Sequence, residues 1–230
     1  MSDIFREVDE DIRREKYRRL WDRFGPMVIA AAVLIVAGTG GYRGWLYWQE
    51  TKAREAGDQF LEAVSVADAG NPDQALAMLE SLNDATGGYP DLARLRMAAE
   101  LARTDRQAEA LTQLDAFARD TSVPEPLRAV AALRAGFIAV DTETYPAVAD
   151  RVERLTAADN PFRSAAREIL ALSAWKADDV DTARRWISAI EDDPETPGDT
   201  ASRVRLLAGL IDARHGPDEQ AVESADGVSQ

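Results

Sequence analysis

The stretch Pro26–Trp48, PMVIAAAVLIVAGTGGYRGWLYW, constrains this chain more than any other. From Gly25 to Tyr42 its only ionisable group is the Tyr42 phenol, in a chain of which 30% is charged. Wound as a helix, it reaches about 35 Å and can cross a hydrocarbon core of about 30 Å. Aromatics mark both ends: Trp21 and Phe24 before it, and Tyr42, Trp45, Tyr47 and Trp48 at its exit. Tyr and Trp favour the headgroup level, where one edge is apolar and the other wet. Arg43 stands near one end, so its stem can carry the charge out to the interface. The expectation is a membrane anchor over 26–48, with Pro26, Tyr42, Arg43, Trp45 and Trp48 as its boundary residues. A buried core helix is the rival reading, and the length of uncharged sequence disfavours it.

Charge beside the span sets its expected direction. Residues 1–25 carry seven Lys/Arg, six of them between Arg13 and Arg23. Beyond the span come Arg43, Lys52 and Arg54, then none until Arg94. The positive-inside rule therefore keeps the N-terminus in the cytoplasm and exports the rest. A cleaved signal peptide fits less well. Its basic region would also hold seven acids, and bulky aromatics follow the span where a small-residue cleavage site is wanted, Ala37-Gly38-Thr39 being a weak candidate. Residues 1–25 read as a juxtamembrane helix. Its acids crowd the first half and its bases the second, as a helix dipole favours. It suits the lipid surface or, alternatively, a cytoplasmic partner.

Residues 49–230 carry 19 Lys/Arg against 34 Asp/Glu, a net charge of −15. Nucleic-acid phosphates need a basic footprint, so nucleic acid is not an expected partner. The chain has no Cys and so no disulfide framework. Periodicity predicts helices with almost no strand. The anchor helix runs on towards Val66, with Gly57 its only soft point. Breaks fall at Gly70-Asn71-Pro72, Gly87 to Pro90, Thr104-Asp105, Val123 to Pro126, Asp141 to Pro146, Asp159-Asn160-Pro161, Asp178-Asp179 and Asp193 to Asp199. Asn71 and Asn160, each followed by Pro, are candidate N-caps. Ala75, Ala110, Val148 and Ala183 open similar apolar patterns spaced 35, 38 and 35 residues apart. Small residues precede them: Ala63, Ala98, Gly136 and Ala171. This pattern resembles the tetratricopeptide repeat, in which small residues let paired helices approach closely. The expected fold is all-α: one transmembrane helix, then a tetratricopeptide-like α-solenoid of about four helix pairs over 49–214 with a capping helix from Thr200 to Arg214. An acidic, disordered tail is expected over 215–230.

The opening DIFREVDEDIRREKYRRLWDRFGP, the Ala/Val/Ile span, the exit GWLYWQE and the later NPFRSAAREILALSAWKADD together resemble the YfgM-type family. That resemblance implies a bacterial inner-membrane protein with a periplasmic helical-repeat domain, ancillary to the SecYEG translocon and part of a periplasmic chaperone network. It implies translocon subunits, periplasmic chaperones or secretory polypeptides as partners, besides the lipid bilayer.

No catalytic constellation is visible. His215 is the single His, and without Cys the usual zinc sites and His-dependent triads have no basis. The acids at 178–181 and 191–193 lack EF-hand spacing and read as helix caps. No enzyme activity, metal, cofactor or small-molecule substrate is expected. The function read from the sequence is a membrane-anchored interaction module, with an envelope scaffold for cell-wall or division machinery as the alternative. In a tetratricopeptide fold the first helix of each pair lines the groove. That face holds Leu92, Leu95, Arg103, Val130, Leu133, Arg134, Phe137, Leu172, Trp175 and Lys176. Its apolar members read mainly as core. Arg103, Arg134, Phe137, Trp175 and Lys176 are the expected partner-binding residues, since Trp and Arg recur at energetic hot spots.

Overall fold

The computed structural model describes residues 3–216, with side chains at 21 and 23–216. All regular structure among these residues is helical. The elements are α1 (Asp3–Asp68), α2 (Pro72–Glu80), α3 (Tyr89–Arg103), α4 (Gln107–Arg119), α5 (Glu125–Thr142), α6 (Tyr145–Val152), α7 (Arg163–Lys176), α8 (Val180–Glu191) and α9 (Gly198–His215). A 3-10 turn over Glu153–Thr156 follows α6. The described residues fall into two compact units, divided between Gly57 and Asp58.

In the first unit, α1 passes through Pro26 without interruption. Proline lacks an N–H and crowds the preceding turn, so the carbonyl four residues earlier loses its helical donor there. The side chains from Met27 to Val36 stand exposed, with Ile29, Leu34 and Ile35 among them. Almost none of the apolar window is buried, which removes the core-helix reading. This is the one stretch of the described residues long and apolar enough to cross a membrane.

In the second unit, α2 packs on α3, and Asp68 at the end of α1 meets Arg96 of α3 at 3.2 Å; the pairs α3/α4, α5/α6 and α7/α8 follow, with α9 closing the stack. The substantial packing lies within a pair or between adjacent pairs, as in a solenoid. Each second helix buries one stripe. On α4 it is Ala110, Leu111, Leu114 and Phe117, a spacing that keeps all four on one helical face. A fully buried Leu or Phe contributes about 1.5–3 kcal/mol, so such stripes supply the driving force. One apolar cluster joins α3 to α7 and a second joins α7 to α9. α7 contributes to both, which is why it is buried nearly all round.

The small residues mark close approaches. A Cβ on Gly136 would lie 2.8 Å from Val152 Cγ1 and 3.2 Å from Ile169 Cγ2. Only a residue without a side chain lets α5 come this near to α6 and α7. The repeat is also written in the helix ends. Gly70, Asp105 and Asp178 have φ of 86°, 58° and 61°. In each case the next N–H bonds back to a carbonyl five residues earlier: Asn71 to Val66, Arg106 to Leu101 and Asp179 to Ala174, at 3.0–3.2 Å. These are Schellman turns, which satisfy orphan carbonyls at a helix end. Between α5 and α6 the corresponding residue, Glu143, is instead extended, with φ −124° and ψ 175°. The four positions are spaced 35, 38 and 35 residues apart, so the three extra residues coincide with the altered turn.

The breaks fall where the sequence places them, and α9 starts and ends close to its expected limits. Two details differ. Asn71 stands at the N-cap of α2 without a side-chain capping bond. Asn160 is not an N-cap: its side chain accepts from Phe162 N at 2.9 Å in a turn, and α7 starts at Arg163. Pro161 sits inside that turn rather than in the helix. The tail expected to be disordered lies outside the described residues from 217 onward, as do the side chains of the juxtamembrane segment up to residue 20.

Candidate functional site

The exposed faces of α3, α5, α7 and α9 form the candidate site. On α5, helical geometry puts Val130, Arg134, Phe137 and Asp141 on one side. Phe137 is 43% exposed although its neighbours Gly136 and Ala139 are buried. On α7 the least buried side carries Ala165, Leu172 and Lys176. Two contacts fix the sides of α9. Arg203 reaches α7 through Glu168, and Arg184 of α8 meets Asp212 at 3.0 Å on the other flank. Leu206 and Leu210 follow Arg203 by about one and two turns, so they continue the first-helix face beyond α7. They are 71% and 55% exposed. Leu92 on α3 is also exposed, whereas Leu95 and Leu133 are buried and belong to the core.

The five expected binding residues differ in their surroundings. Arg134 is exposed and reaches the Leu95 carbonyl at 3.4 Å, with no carboxylate partner among the described residues. Arg103 is exposed and lies 3.5 Å from Glu100 and 3.8 Å from Asp68. Lys176 donates to the Val140 carbonyl at 2.7 Å, placing its charge in the last turn of α5, where the helix dipole favours a cation. Trp175 is half-buried against the α7–α9 cluster, and its indole N–H has no acceptor among the described residues. A buried donor without a partner costs about 1–3 kcal/mol. Phe137 thus offers aromatic surface and Trp175 part of its ring, while the Trp175 N–H is sealed.

Buried acids anchor the cations along this face. Glu100 is 2% exposed and receives Arg96 at 2.6 Å. Glu168 is 3% exposed and receives Arg203 through two bonds of 2.6 and 2.8 Å. The charge-assisted fork raises the affinity of Arg203 for its proton above the ordinary arginine value. Arg96 and Arg203, together with Leu206 and Leu210, escaped the sequence reading. The signal for the leucines is present: Thr200, Val204, Leu207 and Ile211 form a complete core stripe on α9, which leaves Leu206 and Leu210 outside it.

At the anchor, Pro26, Arg43, Tyr42, Trp45 and Trp48 are exposed, and the Tyr42 and Trp45 rings lie 6.4 Å apart at 34°. Ion pairs begin at once beyond them, Arg54 with Glu50 at 2.7 Å and Lys52 with Glu55 at 3.1 Å. An aromatic band followed by paired charges suits a membrane boundary. No group of three or more His, Cys, Asp or Glu among the described residues is arranged to hold a metal ion.

A stack of antiparallel helix pairs with an apolar-and-basic face defines a helical-repeat interaction module. The chain belongs to the family described as a tetratricopeptide repeat-like domain, which matches residues 18–185 and so takes in the apolar span as well as most of the repeats. Among curated proteins it is similar to the ancillary SecYEG translocon subunit of Escherichia coli (strain K12), 33% identical over 108 residues. The match covers 46% of this chain and 52% of that protein, so the chain spans about half the length of the curated relative it matches. This agrees with the YfgM-type resemblance read from the sequence. No solved structure matches.

Proposed function

We propose that this chain is a single-pass inner-membrane protein whose repeat unit receives polypeptide segments beside a protein-translocation channel. In this reading residues 1–25 lie in the cytoplasm, 26–48 cross the bilayer, 49–214 form the periplasmic repeat domain and 215–230 form an acidic tail. The chain then acts by binding: it holds emerging polypeptides or passes them to a periplasmic chaperone. The observation that carries this is the strip formed by Leu92, Phe137, Leu206 and Leu210, apolar side chains that the fold leaves uncovered on α3, α5 and α9, with the half-buried Trp175 on α7. An unfolded segment offers apolar side chains to such a strip. Arg103 and Arg134 would add charged contacts, and Lys176 would orient α5. The E. coli relative, by its name a translocon subunit, supports the channel as the place of action.

Photo-crosslinkers placed at Phe137 and Leu206 in intact cells test the reading. Adducts with translocon subunits or with secretory polypeptides caught during export are expected. Adducts confined to envelope proteins unconnected with export would overturn it.

A further inference from the structure

A second site lies on the other side of α5. Arg128 stands at least a third of a turn round the helix from Arg134 and Phe137. There α4, α5 and α6 enclose a pocket of ≈ 520 Å³ floored by Ala118, Ala132 and Ala147. One wall is the Arg151 guanidinium, whose donors are all engaged. Nε and Nη2 bond the two Asp115 oxygens at 2.8 and 2.9 Å. Nη1 and Nη2 bond the two Glu143 oxygens at 2.5 and 3.0 Å, and Nη1 also reaches the Ala147 carbonyl at 2.9 Å. The extended backbone at Glu143 is what brings this carboxylate to Arg151. Asp115 and Glu143 are thereby consumed by one cation.

The remaining charge is unbalanced. Arg119, Arg128 and Arg154 line the same pocket, with no carboxylate partner among the described residues. Asp150 is the one further acid in the lining. Arg128 Nε is fully buried and has no acceptor among the described residues. Three unpaired guanidinium groups round one opening are out of keeping with a chain of net charge −14. Like charges repel when gathered, and a guanidinium presents its donors in a planar fork that fits an oxyanion.

We propose that this pocket takes the carboxylates of an acidic segment of a partner protein. The three arginines come from α4, α5 and the turn after α6, so they suit several carboxylates spaced along one segment better than a single small anion. Arg151 is the positioning residue, since its saturated pairs fix the wall and leave it no donor for a ligand. The proposal rests on the chain being an interaction module, and it is independent of the channel reading.

Fluorescence anisotropy on the full chain in detergent tests it. The probe is a labelled peptide of about eight residues alternating Glu and Ala, and the control has Gln in place of Glu. The Glu peptide is expected to bind at least about tenfold more tightly than the control. Arg119→Gln/Arg154→Gln, two exposed positions, is expected to reduce that affinity about tenfold with Tm unchanged, and adding Arg128→Gln to remove it. Equal affinity for the two peptides, or unchanged affinity in the exposed double variant, overturns the proposal. So does inorganic phosphate binding while the Glu peptide does not. Crosslinks from Phe137 and Leu206 should be the same in the arginine variants. Peptide binding in a chain that forms no translocon crosslinks would sink the channel reading alone. Crosslinks without peptide binding would sink this one alone.

Discussion

Glu168 is nearly sealed on α7, and the Arg203 fork supplies two hydrogen bonds to its carboxyl oxygens. Removing one partner of a buried ion pair strands the other charge, at about 3–5 kcal/mol when both are sealed. Arg203 is 52% exposed, so water can partly replace it. Arg203→Met is expected to cost about 2 kcal/mol, read as a lower urea midpoint. Adding Glu168→Leu should return most of the loss, because two apolar groups need no partner; a double variant no better than the single one would show that the pair is not coupled. Asp193 sets a pH dependence. Hydrogen bonds from Arg163 hold its carboxyl well below the usual carboxylate range, and Arg167 adds to this from 3.1 Å. A lowered folded pKa means that the stabilisation is present above the unfolded value of about 3.9 and is lost as pH falls from there. Tm should therefore drop less steeply below about pH 4 in Asp193→Asn than in the natural chain, and that variant should already be less stable at pH 7. Parallel curves for the two proteins would remove Asp193 from the account.

At the scale of the element, the turns that close α3 and α7 put an aspartate where glycine has the least strain. Asp105 has no ion-pair partner among the described residues, so nothing in its contacts offsets its left-handed backbone. Asp105→Gly should raise stability by about 1 kcal/mol, seen as a Tm increase of a few degrees; a fall would mean that the side chain holds the turn. These turns also show what was legible beforehand. Gly, Pro and Asp clusters located each break, and Ala63, Ala98, Gly136 and Ala171 gave the repeat, because both signals are local. The end of α2 at Glu80, the 3-10 turn after α6 and the role of Asn160 were not legible, since neighbouring helices decide them. The candidate face was legible in part. Phe137 and Trp175 declare themselves by type. Leu206 and Leu210 fall outside the Val204, Leu207 and Ile211 stripe, but only the Arg203–Glu168 pair shows which flank of α9 they occupy. The arginine pocket was invisible, because Arg119, Arg128 and Arg154 meet only after three helices fold together.

For the whole molecule, the proposed topology is what the channel reading depends on. Each basic residue near an anionic inner leaflet is worth about 1 kcal/mol, so the six between Arg13 and Arg23 give a strong bias even after screening. Replacing them with Gln should scramble orientation, whereas replacing Lys52 and Arg54 should matter much less. Protease added to spheroplasts should digest the repeat unit and spare a small fragment holding residues 1–48. A fully protected repeat unit would reverse the topology, and a soluble product beginning near residue 40 would mark the span as a signal peptide. The stacking has its own meaning for how such a chain comes into being. Among the described residues the substantial contacts do not skip a pair, so none of these segments must wait for a partner far along the chain. Low sequence separation between contacts makes folding fast, and a linear stack can grow from any completed pair. A repeat unit delivered through a narrow opening from residue 49 onward could therefore assemble in the order of its delivery, each pair serving as the template for the next, with α9 the last helix to arrive and seal the open end.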